Sequence, residues 1–196
     1  MRRFYTLVLA IVLIFAAVPA FSQDMDDDPD IYLATSMYDP GNIALSATVG
    51  FGYGFSLALY PGAEVIVLDT LIGNTLPFSL GIAARGLFNT YNSTYYGYGY
   101  TAFGVGAFVA AHLSFNELEP DAVIGFLEHF DFYSMLGLVF NFVNFSGYAI
   151  EPFNTGIGFA TIGGFNYFFS DAFALKIEGN YWGYMGGASI GVLFKL

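Results

Sequence analysis

Three observations predict an all-β chain, an eight-stranded antiparallel up-and-down barrel that crosses a membrane. The composition is 56% hydrophobic and 20% aromatic but only 11% charged, against roughly 25% charge in a typical soluble domain. From residue 42 onward apolar residues recur at every second position, the spacing that gathers side chains on one face of a strand and not of a helix. Turn residues divide residues 42–196 into eight such runs, an even count at the lower limit for membrane barrels. A helical membrane protein is excluded, because after residue 20 no helix-periodic or glycine-free apolar run of about 20 residues occurs.

The first 22 residues, MRRFYTLVLAIVLIFAAVPAFS, read as a signal peptide: basic Arg2 and Arg3, an apolar stretch from Leu7 to Val18, and a small-residue exit at Ala20-Phe21-Ser22. Its removal leaves Arg85, Lys176 and Lys195 against sixteen acids. Three cations on separate strands build no basic patch, which excludes nucleic acid as a partner. Residues 23–41, QDMDDDPDIYLATSMYDPG, form an acidic polar segment expected to be solvated, without the spacing of a calcium loop. The chain has no cysteine, hence no disulfide framework and no thiolate metal site. No cofactor, metal site or catalytic constellation is expected.

The elements follow in order. Residues 43–60, IALSATVGFGYGFSLALY, carry no charge. Their odd positions are apolar and their even positions mostly small, so they are expected to form one long strand ending at Pro61-Gly62. Gly50, Gly52 and Gly54 would face the lumen and make room for Phe108 and Tyr100. Residues 63–72 form a second strand with both faces apolar, turned by Gly73-Asn74. The third, 76–89, sets Phe78, Leu80, Ile82 and Phe88 against Ser79, Gly81, Ala83 and Arg85, and 89–97 is a loop. The fourth spans 98–113, and a connection over 114–130 could hold a short amphipathic helix at 122–130. The fifth spans 131–143 and the sixth 156–169. After a tight turn at 170–172 the seventh sets Phe173, Leu175, Ile177 and Tyr181 against Lys176, Glu178, Asn180 and Trp182. The eighth ends the chain with Ala188, Ile190, Val192, Phe194 and Leu196 in register. Closing this sheet pairs every backbone group, as hydrocarbon requires, and leaves an interior filled by side chains.

The pattern of residues 42–196 resembles the small bacterial outer-membrane barrels of the OmpA, OmpX and OmpW type. GASIGVLFKL is similar to the C-terminal strand read by the barrel-assembly machinery, although Leu196 stands where that family usually ends in an aromatic residue. The resemblance implies an integral outer-membrane location with periplasmic termini, partners in outer-membrane lipid and in the assembly machinery through residues 188–196, and short outer loops at 61–62, 89–97, 144–155 and 183–187. Tyr95, Tyr96, Tyr98, Tyr100, Tyr181, Trp182 and Tyr184 are then expected near the outer rim as an interfacial aromatic belt.

Two constellations carry chemistry. Arg85 on the third strand and Lys176 and Glu178 on the seventh face inward from opposite walls, so Arg85 and Glu178 are expected to meet, because an unpaired buried charge is costly. They form a structural plug or, on a sharper reading, a constriction that selects small solutes. His112 and Ser114, as His-x-Ser on one strand face, are similar to the pair used by outer-membrane lipid A deacylases, without an evident acid. GVGAFV at 104–109 lies inside an alternating strand and is no dinucleotide loop. The function expected is that of a non-enzymatic barrel, structural or passing small solutes in a limited, porin-like way. A surface interaction protein, an adhesin or immune-evasion factor, is the alternative, and a hydrolase at His112 and Ser114 ranks last.

Overall fold

The computed structural model describes residues 36–52, 56–72, 76–93, 95, 97–116, 127–147, 155–183 and 185–196. The signal peptide expected at 1–22, the acids at 24–30, the helix expected at 122–130 up to residue 126, and Gly54, Tyr96 and Tyr184 lie outside them.

The strands are β1 (Ile43–Phe51), β2 (Leu57–Ile72), β3 (Leu76–Ser93), β4 (Tyr98–Ser114), β5 (Phe130–Gly147), β6 (Gly156–Ser170), β7 (Phe173–Trp182) and β8 (Met185–Lys195). They form one closed antiparallel barrel in sequence order, β8 pairing back onto β1 from Ala44↔Lys195 to Phe51↔Ala188. Closure removes every sheet edge, the condition for strands in hydrocarbon. Among the described residues no helix is long and apolar enough to cross a membrane.

Alternation decides which side chains meet lipid. Along β1 the odd residues Ile43, Leu45, Val49 and Phe51 are exposed while Ala44 and Thr48 are buried. The same parity leaves Phe103, Val105 and Val109 of β4, and Leu136, Leu138 and Phe140 of β5, outside. In a soluble protein such a continuous apolar exterior would drive aggregation; in a bilayer it is the surface that dissolves. Inside, small residues alternate with large ones. A Cβ at Gly137 would stand 2.6 Å from Cδ1 of Phe108, so glycine there lets the ring lie flat against the wall.

The structure corrects the first element. Residues 43–60 are not one strand: β1 ends at Phe51 and β2 begins at Leu57, paired Phe51↔Leu57 across a hairpin. The alternation runs through the hairpin without a change of parity, since Leu57 and Leu59 face lipid like Val49 and Phe51. Pro61-Gly62 is therefore neither a turn nor an outer loop but the interior of β2. Pro61 still marks the sheet: the β2–β3 ladder runs Leu59↔Phe88 and resumes at Gly62↔Arg85. The missing rungs fall at Tyr60 and Pro61, where proline has no N–H to give. A second irregularity explains why residues 63–72 look apolar on both faces. The register shifts between Ile66 and Leu68, so Val67 and Leu68 are both exposed, as a bulge requires.

The loop expected at 89–97 is shorter, because β3 and β4 remain paired as far as Ser93↔Tyr98. Strand β5 likewise runs on to Gly147. With 18, 17 and 18 residues, β3, β4 and β5 outreach β1 and β7, which have 9 and 10. The wall they form stands above the rest of the rim. That rim, carrying the β1–β2, β3–β4, β5–β6 and β7–β8 hairpins, is the distal end; the other, where Leu196 N donates to the Ile43 carbonyl at 2.8 Å, is the terminal end.

Candidate functional site

Eight strands leave an interior only wide enough for side chains, and the buried polar and charged side chains gather there. That interior is layered.

At the terminal end the chain stops its own mouth. Residues 36–41, part of the segment expected to be solvated, fold back beneath the barrel as a strap, with Met37 and Tyr38 buried among Ala44, Ile66, Phe168, Ala174 and Leu193. Polar groups of the wall hold it. Met37 N donates to Ser114 Oγ at 3.0 Å, Ser36 Oγ lies 2.9 Å from Ser79 Oγ, Lys195 Nζ donates to the Met37 carbonyl at 2.6 Å, and Gly41 N donates to the Ile66 carbonyl at 2.8 Å. Tyr38 OH donates to Asp131 Oδ2 at 2.9 Å. Burial, reinforced by the charges of Asp131 and Glu64, pushes the Tyr38 phenol well above its usual value.

Above the strap His112 of β4 lies between two acids. Its Nδ1 is 3.1 Å from both oxygens of Asp131 and its Nε2 is 2.7 Å from Glu64 Oε1. Carboxylates only accept, so with both ionised the imidazole donates from both nitrogens and carries a positive charge. Asn166 Nδ2 gives Asp131 Oδ2 a further bond at 2.7 Å.

The middle layer is built on Glu178. Its Oε1 accepts from Arg85 Nη2 at 2.6 Å, from Thr48 Oγ1 at 3.0 Å and from Ser189 Oγ at 3.2 Å; its Oε2 accepts from Tyr133 OH at 2.7 Å. Lys176 Nζ stands 3.7 Å from Glu178 Oε2 and 3.6 Å from the centre of the Tyr133 ring. Strands β1, β3, β5, β7 and β8 thus all reach one carboxylate. Among the described residues, three buried cations, Arg85, Lys176 and His112, stand against three buried carboxylates, Glu64, Asp131 and Glu178.

The distal layer is uncharged. Tyr60, Phe108 and Trp182 pack with Leu87, Val139 and Met185, and Asn89, Asn141 and Asn180 are buried among them. Asn141 Nδ2 donates to the Trp182 carbonyl at 3.3 Å.

The structure brings Arg85, Lys176 and Glu178 together. It also shows the acid that the sequence reading missed at His112: Asp131, whose neighbour Ser114 is its direct cross-strand partner. The signal was present in the alternation of β5, where Asp131, Tyr133 and Met135 share the face opposite Phe132 and Leu136. These residues do not assemble a hydrolytic site. Glu64 occupies the His112 nitrogen that a serine nucleophile would need, while Ser114 Oγ is committed to Met37 and Ser36. Of the aromatic residues expected at the rim, Tyr95 and Tyr181 are exposed, but Tyr100 and Trp182 point into the lumen and are buried, and Tyr98 is half-buried on the inner face. Even-numbered positions of β4 and β7 face inward, and alternation overrides the preference of these rings for an interface. Nor do Phe108 and Tyr100 fill the space beside Gly50 and Gly52: a Cβ at Gly50 would meet Ser189 of β8, and one at Gly52 would meet Asn89 and Ser56.

No protein-family model matches the sequence, and no curated protein does. The chain is similar to several solved structures. The attachment invasion locus protein Ail of Yersinia pestis is 11% identical with a TM-score of 0.49, covering 81% of this chain and 100% of that one. The outer membrane enzyme PagL is 10% identical with a TM-score of 0.49, covering 78% and 98%. Neisserial surface protein A is 15% identical with a TM-score of 0.48, covering 79% and 96%. These likenesses concern the path of the chain; the lumen's bonds come from this sequence's own residues. A sheet closed without an edge, an exterior suited to lipid, and an interior of mutually bonded polar side chains make the chain a small eight-stranded transmembrane β-barrel.

Proposed function

We propose that this barrel is non-enzymatic, sits with both termini in the periplasm, and serves as a sealed structural element of the outer membrane. The observation that supports this is the double closure of the lumen. The Glu178 layer ties five strands across the interior, and the Ser36–Tyr38 strap packs beneath it. A hydrated ion passing this way has to displace a salt bridge of 2.6 Å whose side chains are almost fully buried. Insertion is assigned to the barrel-assembly machinery reading residues 188–196, whose apolar positions alternate to the end of the chain. Planar-bilayer recording of the refolded protein tests the reading. No resolved conductance steps are expected; reproducible steps would show a solute path and remove it.

A second reading, a surface that binds a partner, draws on the raised β3–β5 wall. Its inner face carries Tyr91, Tyr100 and Phe145 in contact, with ring centroids 5.7 and 6.0 Å apart. Binding to host cells that persists after Tyr91→Ser would count against this face as the contact.

A further inference from the structure

The polar atoms of the lumen divide sharply by layer. In the terminal and middle layers nearly all are engaged. In the distal layer Asn141 Oδ1 and Trp182 Nε1 have no hydrogen-bond partner in the protein, and the Asn89 and Asn180 amides make no bond of good geometry, with only the Tyr100 and Tyr60 hydroxyls beside them. These side chains are at least nine-tenths buried, where an unmet donor or acceptor costs on the order of 1–3 kcal/mol. Such groups in a native lumen call for a reason. Three of these residues are neighbours. Asn180 and Trp182 are inward neighbours on β7, Asn141 bonds the Trp182 backbone, and a Cβ at Gly104 would touch both Asn141 Oδ1 and the Trp182 ring. Below them the floor is the Glu178 layer.

We propose that this distal layer is a blind binding site for small uncharged molecules that both donate and accept hydrogen bonds, of the amide or polyol class, entering from the distal mouth. The chemistry selects them. Amide oxygens accept from the solute, while amide and indole N–H groups donate to it. A charged solute finds no counter-ion, because the charges beneath are already paired with one another, and burying an unpaired ion is prohibitive. The indole adds an apolar wall, in keeping with sites that are mostly apolar with few polar groups. This rests on the reading of a sealed lumen, which makes the site a dead end instead of a passage.

Trp182 is the only tryptophan of the chain and so reports on its own layer. The refolded mature protein, in detergent, is titrated with acetamide and, at matched ionic strength, with sodium acetate of nearly the same shape. A saturable change in Trp182 emission is expected with acetamide at concentrations on the order of millimolar, and none with acetate. Asn141→Leu and, on another strand, Asn180→Leu should each weaken acetamide by about fivefold, the worth of one neutral hydrogen bond. Gel mobility before and after boiling verifies that both variants fold. A response linear in acetamide, an equal response to acetate, or an unchanged midpoint in both variants overturns the proposal. The acetamide and acetate comparison needs no variant and decides even if neither folds. Conductance steps with a normal acetamide titration would instead sink the sealed-lumen reading alone.

Discussion

The terminal and distal halves of the lumen have similar wall geometry and opposite interiors. In the terminal half each fully buried charge has a partner of opposite sign, and strands far apart in sequence meet at single groups: Thr48 and Arg85 converge on Glu178 Oε1, and Glu64 and Asp131 on one imidazole. In the distal half the polar groups are neutral, sparse and in part unpartnered, and aromatic rings line the interior. The difference shows that an eight-stranded barrel needs filling, but that the filling need not be of one kind. A charged network ties distant strands to one another, whereas an aromatic layer packs against the wall and leaves polar groups unpaired.

The largest test of that contrast is at Glu178. Replacing it by leucine strands Arg85 and Lys176 in the interior, leaves Tyr133 without its acceptor and leaves Thr48 and Ser189 only each other. Breaking one partner of a buried pair costs about 3–5 kcal/mol, so the urea midpoint of Glu178→Leu in lipid vesicles should fall by that equivalent. The combined variant Glu178→Leu, Arg85→Met, Lys176→Met removes the stranded charges and should regain most of the loss. A single variant as stable as the parent would show that the network does not hold the terminal half.

A smaller effect is expected at the strap. Tyr38→Phe removes one hydrogen bond to a carboxylate, worth about 1.5–3 kcal/mol, and should raise the exchange rate of the Met37 amide, which is held by Ser114 Oγ. The alkaline limb gives a second handle. Tyr38 has its folded value raised above its ordinary value of 10.0, so its contribution is complete below that value and is lost as pH climbs through the raised one. Exchange at Met37 should therefore accelerate in strong alkali in the parent and show no such phenol-linked step in Tyr38→Phe. Equal profiles in the two proteins would separate the strap from Asp131.

Much of the wall was legible in the sequence because alternation is a local property. The faces of β1, β3, β4 and β7 follow from parity alone, and the inward Arg85 and Glu178 with them. What parity cannot place is a hairpin that preserves it, and this is why the β1–β2 turn went unseen and Pro61-Gly62 looked like the end of a strand. In β2 the proline is tolerated because the β2–β3 ladder gives up its rungs there, a property of the assembled sheet and not of the dipeptide. The acids around His112 were hidden for a similar reason. Glu64 precedes a bulge that blurs the faces of its strand, and Asp131 comes within bonding distance only through the pairing of β4 with β5. The strap was the least legible, since nothing in SMYDPG marks Met37 and Tyr38 as buried until the barrel offers them Ser114, Asp131 and Phe168.

The smallest effect, and the one that separates the halves most directly, belongs to Asn180→Leu. Asn180 stands two residues beyond Glu178 on the same strand and faces the same lumen, yet its amide makes no bond of good geometry in the protein and has only the Tyr60 hydroxyl beside it. Leucine has nearly the same shape and no polar atom to desolvate, and replacing an unmet buried polar group in this way is neutral or stabilising by about 1–2 kcal/mol. Urea unfolding in the same vesicles, without added solute, should thus place Asn180→Leu at or above the parent midpoint while Glu178→Leu falls well below it. If Asn180→Leu loses as much as Glu178→Leu, the distal amides are bonded as firmly as the terminal charges, and the two halves are held by one kind of interaction.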